Sequence, residues 1–508
     1  MGVIEIFTEL GVQKIIRHVD YKEVDYVNLP RVCKALDDIV QNNRKTLLIS
    51  DYDVDGLHSA LIGMEALART PLKNFEVFNY VERTHNIDKH AVNYAIQNKF
   101  EYVIITDTGS SELPVLLKLL EYGIKVIVLD HHKTTLTYDD FNIDGLACIN
   151  TQLENAQCGR DEYAFSAGAL CYTVYEYYLR TRGYVVPKHL VAYALITLYS
   201  DSMDMANERN RSIYFKAREL DNSELPDCVK YFMENYTKFT RRFIEFWYAP
   251  RINSLFRSEN FRHLNYFFFA RNKDAAITSS VLQQIEALYR KSQELTMRVA
   301  DVVQVTQLRN FVCSNLRSIE HLYDINQNKL YNYTGLIANK LCNRYNKPAI
   351  VYCETNAGYV GSFRDLYGRN YLSIFSNICD AGGHNPAFGF KLRKMDFSRF
   401  YNDLVRIDEY YSVKDIANAP VVIKYEVAEP DQAVIEAIAE YNNFSGGSAP
   451  IILLKKSIVG AMQDKYSQFY YLKTWGQDYV IQSSHPLAFG ESVLIKPIHS
   501  NTTKLIVQ

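Results

Sequence analysis

The sequence predicts an α/β protein: a parallel-sheet domain, a long connecting helix, a smaller α/β domain and a C-terminal β-rich domain. Three observations carry this. Apolar runs of strand length alternate with helical patterns between residues 46 and 150, the order that yields a parallel sheet covered by helices on both faces. A second such alternation occupies residues 330–408. Residues 409–508 are a succession of alternating apolar segments, which reads as a small barrel or sandwich. The expected domains are therefore 1–240, 241–329, 330–408 and 409–508.

The bulk composition narrows the function classes. The chain has 508 residues and a formal net charge of −2. No global basic field marks it for nucleic acid, so any such binding must rest on local patches. The nine cysteines are scattered and form no CxxC pair, which argues against a zinc ribbon or a disulfide framework and for a reducing compartment. The N-terminus is broken by charges and lacks a signal-peptide core. It begins Met-Gly, but Ile6 breaks the myristoylation pattern. No apolar run approaches the ~20 residues of a membrane span. The expected protein is soluble, cytoplasmic and without membrane contact.

In chain order, residues 1–45 read as polar helices covering the sheet, with apolar positions such as Val32, Leu36, Ile39 and Val40. Strand 46–50 leads to helix 57–69. Strand 101–106 leads through Asp107-Thr108-Gly109-Ser110 to helix 112–122. Strand 124–129 leads to Asp130-His131-His132, and strand 145–150 follows. Residues 151–237 read as helical, and Ser166-Ala167-Gly168-Ala169 suits close helix packing. No glycine occurs between Gly183 and Gly335, and no proline between Pro250 and Pro348. That lack of breakers predicts long helices, in particular one over residues 281–322.

Each conspicuous polar cluster directly follows an apolar strand. Asp51, Asp53 and Asp55 follow the first, Asp107 the second and Asp130-His131-His132 the third. Open α/β sheets place their ligands at the C-terminal ends of strands. Taken alone, the first cluster fits a solvated turn with one Asp as helix N-cap equally well. Three clusters at the same structural position favour metal binding. Crowded carboxylates repel unless a cation neutralises them, and hard oxygen ligands suit Mg²⁺ or Mn²⁺.

At these residues the chain resembles the DHH phosphoesterase superfamily, named for the triplet found here at 130–132. Its first motif is similar to Asp51-Tyr52-Asp53-Val54-Asp55-Gly56, its second to Thr106-Asp107-Thr108-Gly109 and its fourth to LITLYSDSMDM, which contains Asp201. Ile49 stands where some members carry a histidine, which resembles the RecJ branch. The resemblance implies two divalent cations, Mn²⁺ or Mg²⁺, held by Asp53, Asp55, Asp107, His131 and Asp201. It places Asp51 beside these as a further ligand and His132 close by in catalysis, with Asp204 as an outlying extra.

Residues 238–273 carry eight Lys/Arg against two Glu, interleaved with aromatics. Cations that hold phosphates and rings that stack bases suit single strands. An amphipathic subdomain with a core of Phe and Trp explains the same pattern, and is the better reading of Phe267–Phe269. Pro250-Arg251-Ile252-Asn253 and Arg257 resemble a RecJ element, which implies phosphate contacts for Arg251, Asn253 and Arg257. Gly382-Gly383-His384 resembles the GGH motif of the DHHA1 domain that usually follows a DHH domain, and Ser362-x-Arg364 agrees with it. Ala381 and Phe388 depart from that family's pattern around the motif. Gly382, Gly383, His384 and Arg364 are the substrate residues so implied. The position of residues 409–508 resembles an OB-fold, and a purely structural β-domain fits equally.

These features imply a RecJ-like exonuclease hydrolysing phosphodiester bonds of single-stranded DNA, 5′ to 3′ by resemblance alone. RNA stays open as substrate, and nothing in the sequence names a protein partner. A DHH-DHHA1 phosphodiesterase for short oligonucleotides or cyclic dinucleotides is the second reading, and a catalytically inactive replication scaffold the third.

Overall fold

The computed structural model describes residues 24–410 except 82–86, 159–164, 206, 234–235, 237, 271–273, 323–328, 357, 366–370 and 385–386. Beyond residue 410 it describes only the residues of seven strands and Ile438. The described chain divides into two compact units. One comprises residues 1–253, 261–274 and 422–508, the other residues 254–260 and 275–421.

The first unit contains a five-stranded sheet: β1 (Thr46–Ser50), β2 (Phe75–Val77), β3 (Tyr102–Thr106), β4 (Lys125–Asp130) and β5 (Leu146–Asn150). The order is β2-β1-β3-β4-β5, and every pairing is parallel. β1, β3 and β5 are buried along their whole length. That explains why they read as unbroken apolar runs instead of alternating patterns. Leu47, Ile49, Val103, Ile105, Val126 and Val128 share one face with Ala91, Ala95, Leu116 and Leu119, which lie on helices Lys89–Gln97 and Leu113–Glu121. On the opposite face Leu48 meets helix Val54–Leu67 so closely that a Cβ at Gly63 would lie 2.8 Å from its Cδ2. The short edge strand β2 and helix Lys89–Gln97 were not expected from the sequence. Helix Leu29–Gln41 buries Val32, Leu36, Ile39 and Val40 as expected, and residues 1–23 lie outside the described residues.

The strand order reverses direction between β1 and β3. In a parallel sheet, connections leaving to opposite sides at such a point open a crevice beyond the carboxyl ends of the two strands. The pairings Ser50↔Thr106, Thr106↔Leu129 and Asp130↔Asn150 end these strands at one level.

In the second unit, helix Ala275–Val302 ends twenty residues before the expected limit. β6 (Thr306–Gln307), β7 (Val312–Asn315) and a short 3-10 turn, Leu316–Ile319, lie in the remainder. Lack of glycine and proline suits buried strands as well as helices, and β7 is such a strand, parallel to β8 (Ala349–Thr355). With β9 (Gly358–Arg364), β10 (Asp380–His384) and β11 (Ala387–Leu392) they form a mixed sheet ordered β10-β11-β9-β8-β7-β6. Ala349, Val351 and Cys353 join Ile337, Ala338 and Leu341 in one core. Ile350 and Tyr352 join Phe363, Phe388, Phe400 and Leu404 in another. This period-two alternation puts helix Thr334–Tyr345 and helix Phe397–Tyr410 on opposite faces.

Residues 424–507 supply a third, seven-stranded sheet, β12 (Lys424–Val427), β13 (Ile451–Leu454), β14 (Ile458–Gln463), β15 (Gln468–Thr474), β16 (Gln477–Ser483), β17 (Val493–His499) and β18 (Thr503–Val507). Its order is β12-β13-β17-β18-β16-β15-β14. β14, interrupted by Gly460, is the strand the sequence pattern did not suggest. Among the described residues no helix is long and apolar enough to cross a membrane.

Ile104 lies at the centre of β3 with no exposed surface. Ile104→Ala removes packing from both neighbouring strands and should cost about 2–5 kcal/mol in urea unfolding. A cost well under 1 kcal/mol would mean that β3 is not the packed centre of this sheet.

Candidate metal centre

The loop after β1 turns into helix Val54–Leu67 through Asp53, whose carboxylate caps the helix by accepting from the Gly56 amide at 3.0 Å. Gly56 is required here. A Cβ on it would lie 2.4 Å from the Asp51 carbonyl oxygen, a backbone atom with nowhere to go. Asp55, in the first helical turn, is 1% exposed. Its Oδ2 accepts from the Ala167 amide at 2.8 Å and its Oδ1 from the Gly168 amide at 2.7 Å. Those amides open helix Ala167–Thr181, so its positive end faces the carboxylate. Ser166–Ala169 also packs tightly, since a Cβ at Gly168 would fall 2.4 Å from Thr197 Cγ2. The segment therefore serves both packing and orientation of Asp55.

Asp107 leaves β3 with φ +61°, a left-handed conformation costly for most residues but tolerated by Asp. It is 1% exposed, and neither of its carboxylate oxygens receives a hydrogen bond from the described residues. His131 is 3% exposed. Its Nδ1 lies 3.1 Å from the Phe165 carbonyl, so Nδ1 carries the proton and Nε2 presents a lone pair. Nε2 sits 3.2 Å from Asp107, 3.3 Å from Asp201 and 3.6 Å from Asp55. Asp201 caps the end of helix Leu190–Ser200.

Three sets of side chains each bring one ligand atom apiece to within 4.8 Å of one another: Asp51, Asp53 and Asp107; Asp55, His131 and Asp201; Asp107, His131 and His132. Asp107 and His131 are each shared by two sets. Asp204 belongs to none of these groups and is exposed, with its carbonyl accepting from Asn210 Nδ2 at 2.8 Å.

The electrostatics fit a cation. Burial is the main force raising the pKa values of Asp53, Asp55 and Asp107, and neighbouring carboxylates, Asp201 among them, raise them further. A buried carboxylate lacking hydrogen-bond donors at the meeting point of acidic side chains is what a hard divalent ion satisfies. Asp51, Asp53, Asp55, Asp107, His131 and Asp201 supply mainly oxygen donors with one imidazole, a set suited to Mn²⁺ or Mg²⁺.

Asp130 behaves differently. Buried at the end of β4, it accepts from the Ser110 amide and hydroxyl, the His131 and His132 amides, and His132 Nδ1 at 2.9 Å. Burial opposes its ionisation, but the charge of His132 and these hydrogen bonds prevail and hold its pKa below the usual range. Burial also opposes protonation of His132, but Asp130 and the other carboxylates raise its pKa to about 10. Asn150 ties the arrangement together, donating to Ser110 Oγ at 2.7 Å and the His132 carbonyl at 2.9 Å. Sequence reasoning missed these supports, and also Tyr80, whose hydroxyl joins Ser50 Oγ at 2.7 Å and the Asp51 carbonyl at 3.0 Å. The only sequence signal was the placement of Ser110 and Asn150 at strand ends.

The remaining candidates are not members of these ligand groups. Arg251 is 3% exposed, donates to the Trp247 carbonyl at 2.9 Å and stacks 3.5 Å from the centre of the Trp247 ring. Asn253 follows on the same helix, half-buried. In the second unit Arg257, also half-buried, gives its carbonyl to Asn332 Nδ2 at 3.1 Å. Arg364 packs over the start of helix Thr334–Tyr345: a Cβ at Gly335 would lie 2.5 Å from its Nη2. Burial lowers its pKa to about 10, so it stays cationic at neutral pH. It bonds carbonyls of Phe363 and Phe388, and no described carboxylate pairs with it. Ser362 Oγ and Thr334 Oγ1 meet 2.9 Å apart in the same unit. Gly382 and Gly383 lie in edge strand β10, opposite Gly389 and Phe388 of β11. Gly383 has φ +129°, which a side chain would strain. The His384 side chain lies outside the described residues.

Residues 45–197 match the model of the DHH family, N-terminal domain. The single-stranded-DNA-specific exonuclease RecJ of Haemophilus influenzae is 23% identical over 403 residues, covering 72% of this chain and 67% of that protein. RecJ of Bacillus subtilis is 21% identical over 438 residues, covering 84% of this chain but only 53% of its own length. Thermus thermophilus RecJ in complex with Mn²⁺ shares the fold with a TM-score of 0.72 at 16% identity, covering 99% of this chain and 75% of that one.

The raised carboxylate pKa values make a signed prediction. Groups whose folded pKa exceeds the unfolded value near 4 favour folding at low pH, and that contribution is lost as pH rises through the raised values. Asp107→Asn should therefore raise the melting temperature of chelator-treated protein at pH 8, by about 2–4 °C per kcal/mol of repulsion relieved, with no gain at pH 4. It should also remove most of the Mn²⁺-induced stabilisation that wild type shows. Thermal scanning with an undiminished Mn²⁺ shift in the variant would contradict the metal assignment.

Proposed function

We propose that this RecJ-like member of the DHH superfamily hydrolyses phosphodiester bonds of single-stranded DNA, releasing nucleotides from the 5′ end. Two divalent cations, Mn²⁺ or Mg²⁺, would be held by Asp51, Asp53, Asp55, Asp107, His131 and Asp201. The observation that carries this reading is the buried Asp107 carboxylate, without hydrogen-bond donors among the described residues, shared by two of the three ligand sets. When bound, such ions supply activation of water and neutralisation of charge on the scissile phosphate.

The chain's own residues divide the remaining work. The Ala167 and Gly168 amides hold Asp55 with both oxygens oriented. The Phe165 carbonyl fixes the His131 tautomer, so Nε2 faces the carboxylates. Asp130 keeps His132 protonated and half-exposed at the rim. There an N–H donor can meet negative charge developing on phosphate or leaving oxygen. Asp53, Asp55, Asp107, His131 and His132 are the residues assigned to catalysis.

Strand binding is assigned to Arg251, Asn253, Arg257, Arg364, Gly382, Gly383 and His384. Arg364 is the best supported, because a half-buried guanidinium whose partners among the described residues are carbonyls retains its charge for an anion. The aromatics of residues 238–273 serve mostly as core. Phe243, Phe256, Phe261, Phe267 and Phe268 are buried, whereas Phe246 is 66% exposed and open to stacking.

Labelled oligonucleotides test this directly. Hydrolysis should require Mn²⁺ or Mg²⁺, proceed from the 5′ end and spare duplex DNA, and kcat/KM should rise with strand length. His131→Ala should lose several decades of rate while staying folded. A kcat/KM highest for dinucleotides or cyclic dinucleotides would overturn the substrate class, and near wild-type turnover by His131→Ala would overturn the catalytic site.

A further inference from the structure

His58 is fully buried on helix Val54–Leu67, one turn beyond Asp55. Its Nδ1 lies 2.6 Å from the Val54 carbonyl and its Nε2 2.9 Å from the Tyr248 hydroxyl. A carbonyl only accepts, so Nδ1 carries the proton, Nε2 accepts, and the Tyr248 hydroxyl donates. Burial lowers the His58 pKa to about 4, which keeps this neutral form. The ring also packs edge-on against Tyr248 and near Tyr193 and Phe268.

Tyr248 ends a π-helical turn, Ile244–Tyr248. Such turns are rare and re-aim side chains. Here Tyr248 points inward to His58. The preceding residue, Trp247, offers its carbonyl and its ring to Arg251, and its Nε1 donates to the Phe232 carbonyl at 3.1 Å. One turn thus grips the metal-loop helix on one side and the Arg251 guanidinium on the other.

We infer that His58 and Tyr248 are a positioning pair that sets Arg251 in register with the Asp53–Asp55 metal loop, so that a strand phosphate held by Arg251 stands at a fixed place relative to the ligands. Neither residue touches substrate. The inference rests on the reading of Arg251 as a strand contact. It implies that a substrate spanning both Arg251 and the metal site depends on the pair, while one too short to reach Arg251 does not.

The test uses the full chain with Mn²⁺ and two substrates, a long single strand and a dinucleotide. Tyr248→Phe deletes one hydroxyl and keeps the ring. It should raise KM on the long strand about tenfold, leaving kcat and the hydrolysis of the dinucleotide within about twofold of wild type. His58→Phe, which removes the acceptor instead, should give the same split. Arg251→Ala should raise strand KM by itself, and adding Tyr248→Phe to it should raise it no further, because the pair acts through Arg251. Parallel losses on both substrates, multiplying effects of the two substitutions, or no effect of Tyr248→Phe would each overturn the inference alone. An Arg251→Ala chain with unaltered strand KM would overturn the reading of Arg251, and the inference with it.

Discussion

Crowding of negative charge at the carboxyl ends of β1 and β3 is the constraint to which the rest of the first unit answers. Two carboxylates about 4 Å apart repel by about 4 kcal/mol at an effective dielectric of 20, and this site gathers five, three of them within 3.6 Å of His131 Nε2. The surrounding backbone offsets part of that cost. Asp53 sits at a helix N-terminus, Asp55 faces two amides of another, and the left-handed turn at Asp107 brings its carboxylate to the same level. Among the described residues, neither oxygen of Asp107 receives a hydrogen bond from these devices. A divalent cation completes the arrangement in a way that protonation alone does at the expense of reactivity.

Much of this was legible in the sequence, for a physical reason. β1, β3, β4 and β5 are buried on both faces, so each needs an uninterrupted apolar run, and the run ends where the strand does. The polar residue that follows is thereby assigned to the sheet edge before any coordinates exist. Short or half-exposed strands lack that signature. β2 is three residues long and incompletely buried, and β14 carries Gly460. The helix expected over 281–322 forms but stops at Val302, because an absence of glycine and proline does not tell a helix from a strand such as β7.

Within the site, sequence spacing separated ligands from supports poorly. Asp130 stands beside the ligand His131 and has the chemical type of the other ligands, yet it turns its oxygens toward Ser110 and two backbone amides. Only the register that sets Asp130 beside Asn150 reveals that role. His58 was silent for the same reason. Its partner Tyr248 lies 190 positions away and reaches it through a π-helical turn with no sequence signature.

The central claim is that Asp51, Asp53, Asp55, Asp107, His131 and Asp201 would together hold two divalent cations, and that the buried Asp107 carboxylate would be needed for both to bind tightly. Counting Mn²⁺ bound per chain, by calorimetric titration or electron paramagnetic resonance of protein freed of metal, tests it most directly. The account predicts two ions for wild type and a loss of tight binding at both positions in Asp107→Ala. A wild-type chain that binds no Mn²⁺, or an Asp107→Ala chain that still binds two as tightly, would contradict it.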